Sequence, residues 1–168
     1  MSMIGNLLRV TKSELDQYLQ DSSLLEERVF PEEYIDDEYL LDIDKTWEGI
    51  LYLLTGYNLE QIENATPPLS WALFSGQIID EELDMGYGPA NYCLPDQVKT
   101  IAAALKELPS EVLKQRFDPA KMQELEIYPF DWLQDENAFE YVSQHYESMR
   151  EFYEIAATNN QAVITFLT

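Results

Sequence analysis

The sequence predicts an α+β domain: a small sheet that includes the N- and C-terminal strands, packed against several helices. Three observations carry this. A short apolar run with β-branched residues stands near each end, "MIGNLLRV" from Met3 and "AVITFLT" to Thr168. Between them, apolar residues recur at helical spacing in several capped segments. The chain has 168 residues with no internal repeat and no low-complexity linker, which suits one domain over 1–168.

The elements follow in order. Met3–Val10 reads as a buried first strand. "TKSE" after it is a capping box, with Glu14 three residues beyond Thr11. Leu15, Tyr18 and Leu19 continue it as a helical stripe. Residues 21–48 hold eleven acids against two bases, Arg28 and Lys45. Apolar and aromatic residues interrupt them, among them Phe30, Tyr34, Ile35 and Tyr39. The expectation is a loop with short helical pieces, pinned to the core by its aromatics.

"DKTWEGILYLLTG" is helical, with Gly56 as its C-cap. Gly49 inside it costs roughly 1 kcal/mol of helix propensity, so another backbone or a ligand is expected to approach closely there. "PPLSWALF" predicts a short proline-opened helix. "GQIIDEELDMGYGPANYCL" predicts two extended pieces around a Gly86–Gly88 turn. Pro95 opens the clearest helix, with Val98, Ile101, Ala102, Leu105 and Leu108 on one face and Pro109 as its stop. "SEVLKQRF" and "DPAKMQELEIY" are short helices with Ser110 and Asp118 as N-caps. A last helix runs over about 136–157, and Asn159 and Asn160 tolerate a left-handed turn before the final strand.

Composition narrows the function. Apolar residues make up 46% and aromatics 12%, so the chain folds rather than staying disordered. The 32 acids against 10 bases leave a formal charge of −22. Such a field repels polyanions and offers few cations to phosphate, which argues against nucleic acid and against anionic membrane. It suits a basic protein partner. Cys93 is the single cysteine, so the sequence provides neither an internal disulfide nor a thiolate metal cluster. The N-terminus lacks a secretory pattern and no apolar run approaches spanning length, so a cytoplasmic protein of bacterial type is expected.

No motif carries a recognised chemistry. A dinucleotide loop needs a third glycine where Asn91 stands, and Pro89 removes an amide that a phosphate cradle would use. The two glycines instead permit a tight positive-φ turn that presents Tyr87, Asn91 and Tyr92. His145 is the single histidine and sits on the margin of a helical apolar face, a poor start for a nucleophile triad. The acidic runs lack the spaced pattern of a calcium loop. No catalytic residue, metal or cofactor is expected.

"MSMIGN", "LDIDKTWEGILYLLTG", "GYGPANYCLPDQVKTIAAAL" and "RFDPAKMQELEIYP", in that order, resemble the bacterial YfbM-like family, known as the domain of unknown function 1877. The C-terminal "AVITFL" also fits. The resemblance implies a small cytoplasmic α+β domain and carries no assigned activity. This chain departs from the family pattern where histidines follow the tryptophan: those positions are Glu48 and Leu51. Asn91 stands in place of an arginine, and Leu94 in place of a threonine cap.

Two functions follow as expectations. The first is an acidic, non-catalytic interaction protein, of immunity or inhibitor type. The alternative is an enzyme or small-ligand-binding domain with a pocket near the Gly86–Tyr92 turn and the Trp47 helix. Its candidate binding residues are Trp47, Gly49, Tyr87, Gly88, Asn91, Tyr92 and Tyr128, and the turn is expected to pack near that helix.

Overall fold

The computed structural model describes residues 1–168. Strand β1 (Gly5–Val10) leads into α1 (Lys12–Gln20). Thr11 caps α1: its hydroxyl accepts from the Glu14 amide at 3.1 Å, and the Glu14 carboxylate accepts from the Thr11 amide at 2.9 Å. Such a cap is worth about 1 kcal/mol. Next come α2 (Ser23–Val29), β2 (Leu40–Asp42) and, after one 3₁₀ turn, α3 (Trp47–Thr55). Gly56 ends α3 in the left-handed region at φ 81°. Strand β3 (Asn91–Cys93) precedes α4 (Pro95–Lys106), α5 (Ser110–Arg116), α6 (Pro119–Glu124), the long α7 (Ala138–Thr158) and β4 (Ala162–Leu167). Asn160 makes the left-handed turn into β4, at φ 54°.

The four strands form one antiparallel sheet in the order β2-β1-β4-β3. The two strands nearest the chain ends therefore lie side by side at its centre, with Gly5 opposite Leu167 and Val10 opposite Ala162. Alternation of side chains splits the interior in two. Leu7, Val163 and Leu167 face α3 to α7 and join a core of 27 buried residues. Leu8, Ile164 and Phe166 face α1, α2 and the 79–90 loop, and join a second cluster of 12. The molecule is thus three-layered, with the larger helical layer on the α3 face.

Five local expectations need correction. The expected acidic loop contains a strand, β2, whose "LLD" is too short to show period-2 patterning. The aromatics of the acidic segment do not serve as its main pins. Leu25 and Val29 are buried there, while Phe30, Tyr34 and Ile35 are exposed. The proline-opened helix is a single 3₁₀ turn, Leu69–Trp71. Of the two extended pieces around the glycine turn, only β3 is a strand; the other makes one bridge, Ile78 to Asn91. Pro109, not Ser110, is the N-cap of α5, and the Ser110 hydroxyl donates instead to Glu147 on α7.

Candidate functional site

Trp47, Gly49 and Tyr128 come together, but inside the core. Trp47 is 2% exposed and stacks on Tyr128, with ring centroids 5.6 Å apart and planes at 25°. Its indole Nε1 donates to the Met3 carbonyl at 3.2 Å, and the Tyr128 hydroxyl accepts from the Met3 amide at 2.9 Å. Gly49 is approached neither by backbone nor by an open cavity: the Trp132 ring lies against it. Glu48, where the family pattern has histidine, is a buried carboxylate. Its two oxygens accept from the Leu59 amide at 2.9 Å and the Tyr128 amide at 2.8 Å. It ties α3 to two loops. The one signal for this in the sequence is its place three residues before Leu51 on an otherwise apolar helix.

The Gly86–Tyr92 turn is built separately. The Asp84 carboxylate accepts from the Gly86 amide at 2.8 Å and the Gly88 amide at 3.0 Å, and these bonds hold its carboxyl below the usual carboxylate range. Gly86 is needed for close approach, since a Cβ there would stand 3.0 Å from the Thr168 Cα. Gly88 has open space around it and is needed only for its φ of 97°. Tyr87 projects half-exposed from the turn. Asn91 is buried in β3, and its side-chain oxygen accepts from the Gly76 amide at 3.0 Å.

The turn and the Trp47 helix do not form one pocket. Met85, Ala90 and Tyr92 belong with the α1–α2 side of the sheet, whereas Trp47 and Tyr128 belong with the other side. The β1–β4 ladder stands between them. Both lie at its same end, Trp47 against Gly5 and the Tyr87 amide on the Leu167 carbonyl at 3.2 Å. A cleft of about 460 Å³ does open beside the start of α3, lined by Lys45, Tyr128, Asp131, Trp132, Asp135 and Tyr141. Of the expected set, only Tyr128 reaches it. The Tyr141 hydroxyl donates to Asp44, and burial, then that carboxylate, push its pKa up.

A larger surface feature lies elsewhere, in the acidic segment. Between α2 and β2 the chain forms a groove of about 1050 Å³ lined by residues 27–31 and 34–40. Four large apolar side chains within ten residues are turned to solvent: Phe30 47%, Tyr34 93%, Ile35 66% and Tyr39 40% exposed. Glu27, Asp36 and Glu38 line the same groove, and Glu26, Glu32 and Glu33 stand exposed along the same segment. The base of the groove is fixed. Arg28 pairs with Asp37, whose carboxylate also accepts from the Tyr39 amide at 3.0 Å. The Arg9 guanidinium lies 4.5 Å from the Tyr39 ring centroid. Isolated exposed apolar residues are ordinary, whereas four that line one groove form an uncommon feature of a protein surface.

No helix is long and apolar enough to cross a membrane. No three His, Cys, Asp or Glu side chains gather closely enough to hold a metal ion. Cys93 is buried, and desolvation pushes its thiol up to about 12, so it is no ready nucleophile.

An all-antiparallel four-stranded sheet between two helical layers, with its end strands central, defines a small α+β domain of one type. The chain belongs to the family described as domain of unknown function DUF1877, whose model matches residues 1–166. It is similar in fold to YfbM from Escherichia coli, whose crystal structure is that of a protein of unknown function. The TM-score is 0.73 at 19% identity, over 98% of this chain and 99% of that one. No curated protein matches the chain.

Proposed function

We propose that this protein is a non-catalytic interaction module that docks a basic protein through the groove at residues 27–40, in the manner of an immunity or inhibitor protein. One observation carries the reading: Phe30, Tyr34, Ile35 and Tyr39 stand exposed along one groove together with Glu27, Asp36 and Glu38. Apolar area supplies affinity when it is covered, and the surrounding charge selects a cationic partner and speeds its approach. The charge of −22 over the whole chain acts in the same direction. The alternative, an enzyme or small-ligand-binding domain with a pocket near the glycine turn and the Trp47 helix, has less support: of its candidate residues the cleft beside α3 is lined only by Tyr128.

The test compares the natural chain with a Tyr34→Ser, Ile35→Ser variant as baits in the source cell. A basic protein retained by the first and lost from the second supports the reading. Identical retained sets from both baits would refute it. Both side chains are exposed, so the variant is expected to keep its stability within about 0.5 kcal/mol.

A further inference from the structure

We infer that the partner adds a strand to the free edge of β2, and that this strand alternates basic and apolar residues. This rests on the reading that the 27–40 groove docks a basic protein, and it specifies how.

β2 is an outer strand of the sheet. Its ladder with β1 is anchored on either side by the Arg9 amide on the Tyr39 carbonyl and the Ile43 amide on the Gly5 carbonyl, both at 2.9 Å. Backbone groups alternate in direction along an antiparallel strand. The register that sets Leu40 opposite Leu8 and Asp42 opposite Asn6 therefore turns the amides and carbonyls of Leu40 and Asp42 away from β1. The Leu40 amide is taken by the Asp37 carbonyl at 3.1 Å. The Leu40 carbonyl and both backbone groups of Asp42 bond to nothing else in the protein.

The opposite edge is treated differently. Along β3, the Tyr92 amide donates to the Gln77 carbonyl at 2.8 Å, and the Ile79 amide donates to the Ala90 carbonyl at 3.0 Å. The 77–79 segment thus covers that edge. The β2 edge has no such cover and runs straight out of the groove, which Tyr39 and Leu40 also line. Open edges are sites of strand addition unless charge or cover prevents it.

Charge chooses the occupant. Glu38 and Asp42 flank the edge, and a second copy of this chain would bring the same acids and the same −22. Self-pairing is repelled, while a cationic strand is attracted. Side chains alternate on an added strand. Leu40 and Asp42 share one face of β2 and Leu41 takes the other, so the Lys or Arg face of the added strand would meet Asp42 and its apolar face would lie beside Leu41.

The probe is a synthetic peptide of about ten residues alternating Arg and Val, measured by fluorescence anisotropy against the whole protein near 0.05 M NaCl. The controls are the same peptide N-methylated along one edge, the protein variants Asp42→Pro and Asp42→Asn, and the Tyr34→Ser, Ile35→Ser variant. The proposal expects loss of about tenfold or more on N-methylation and in Asp42→Pro, a loss of at most about five-fold in Asp42→Asn, and slower exchange of the Asp42 amide in the complex. If Asp42→Pro does not fold, the N-methylated peptide and the amide exchange decide. Equal binding of both peptides, lost only in the Tyr34→Ser, Ile35→Ser variant, overturns edge addition and leaves groove docking standing. No binding of either peptide overturns both.

Discussion

The space beside Gly49 is filled by Trp132: a Cβ added at Gly49 would stand 2.6 Å from Cη2 of the indole. The ring cannot easily yield. It is buried, and its Nε1 donates to the Ile127 carbonyl at 2.7 Å. Helix α3 and the 127–132 loop are thereby held closer than any side chain at position 49 permits.

Gly49→Ala therefore sets two effects against each other. Alanine improves helix propensity by about 1 kcal/mol. Overpacking a core typically costs about 1–3 kcal/mol. A contact this short with a fixed ring decides for the second, and a net loss of about 1 kcal/mol or more is expected in denaturant unfolding. Trp132→Leu in the same chain should make the added methyl tolerable. A double-mutant cycle with no coupling would show that the ring moves freely.

Glu48 makes a sharper case. Its carboxylate is the acceptor for two loop amides, those of Leu59 and Tyr128. Glu48→Ala leaves both without a partner, at about 1–3 kcal/mol for each unsatisfied group. Glu48→Gln retains one acceptor and turns an NH₂ toward the other amide, so its loss should be intermediate. Chemical denaturation of the three proteins at neutral pH measures the order. Equal stability of natural chain and Glu48→Gln would mean that one of the two bonds is dispensable.

Acid should weaken the base of the groove. The Arg28 guanidinium, and after it the Tyr39 amide, hold the Asp37 carboxyl below its usual range against the opposing effect of partial burial. A carboxyl depressed in the folded state contributes stability that is full above its unfolded pKa, near 3.9. That contribution fades as pH falls through the lower folded value. The gap between the natural chain and Asp37→Asn should be full at about pH 6, shrink below about pH 4 and then close. A gap unchanged down to about pH 2 would contradict the ion pair.

Unscreened repulsion should limit stability at low salt. Five ion pairs occupy Asp16, Asp37, Asp96, Glu124 and Glu147, out of 32 acids in the chain. Apart from the buried Glu48, most of the rest stand at the surface and repel one another through solvent. The Debye length falls from about 30 Å at 0.01 M to about 8 Å at 0.15 M. The melting midpoint should rise steeply over that range in NaCl and then flatten, while Na₂SO₄ adds a further rise by strengthening apolar burial. A midpoint indifferent to NaCl would remove the repulsion, and with it much of the motive for a basic partner.

What the sequence disclosed followed the range of the forces involved. The capping box at Thr11, the Gly56 stop and the α4 and α7 stripes are local, and local pattern located them within a residue or two. The end strands were legible because β-branched apolar runs have few other uses. The site was not. Trp47, Gly49 and Tyr128 look like ligand residues in a list, yet their partners are Met3 and Trp132, brought up from distant segments. Whether Gly86–Tyr92 lies on the same side of the sheet as Trp47 depends on strand register, and no local signal encodes it. Phe30, Tyr34 and Ile35 read as core by type, and only the fold shows that the interior fills without them.

The Gly5–Leu167 pairing has a consequence for the order of events on the ribosome. β1 is made before every other strand of the sheet, yet its neighbour β4 is made after all of them, and β3 also waits for β4. Until then β1 can pair only with nearby β2. Closing so long a loop is slow and entropically costly. A nascent chain stalled before Ala162 keeps its local helices but has neither the central ladder nor the surface that divides the two clusters. Leu7 and Leu8 then have no sheet to point them to opposite sides. β4 is thus the keystone of assembly, and until it emerges the nascent segment is exposed to aggregation.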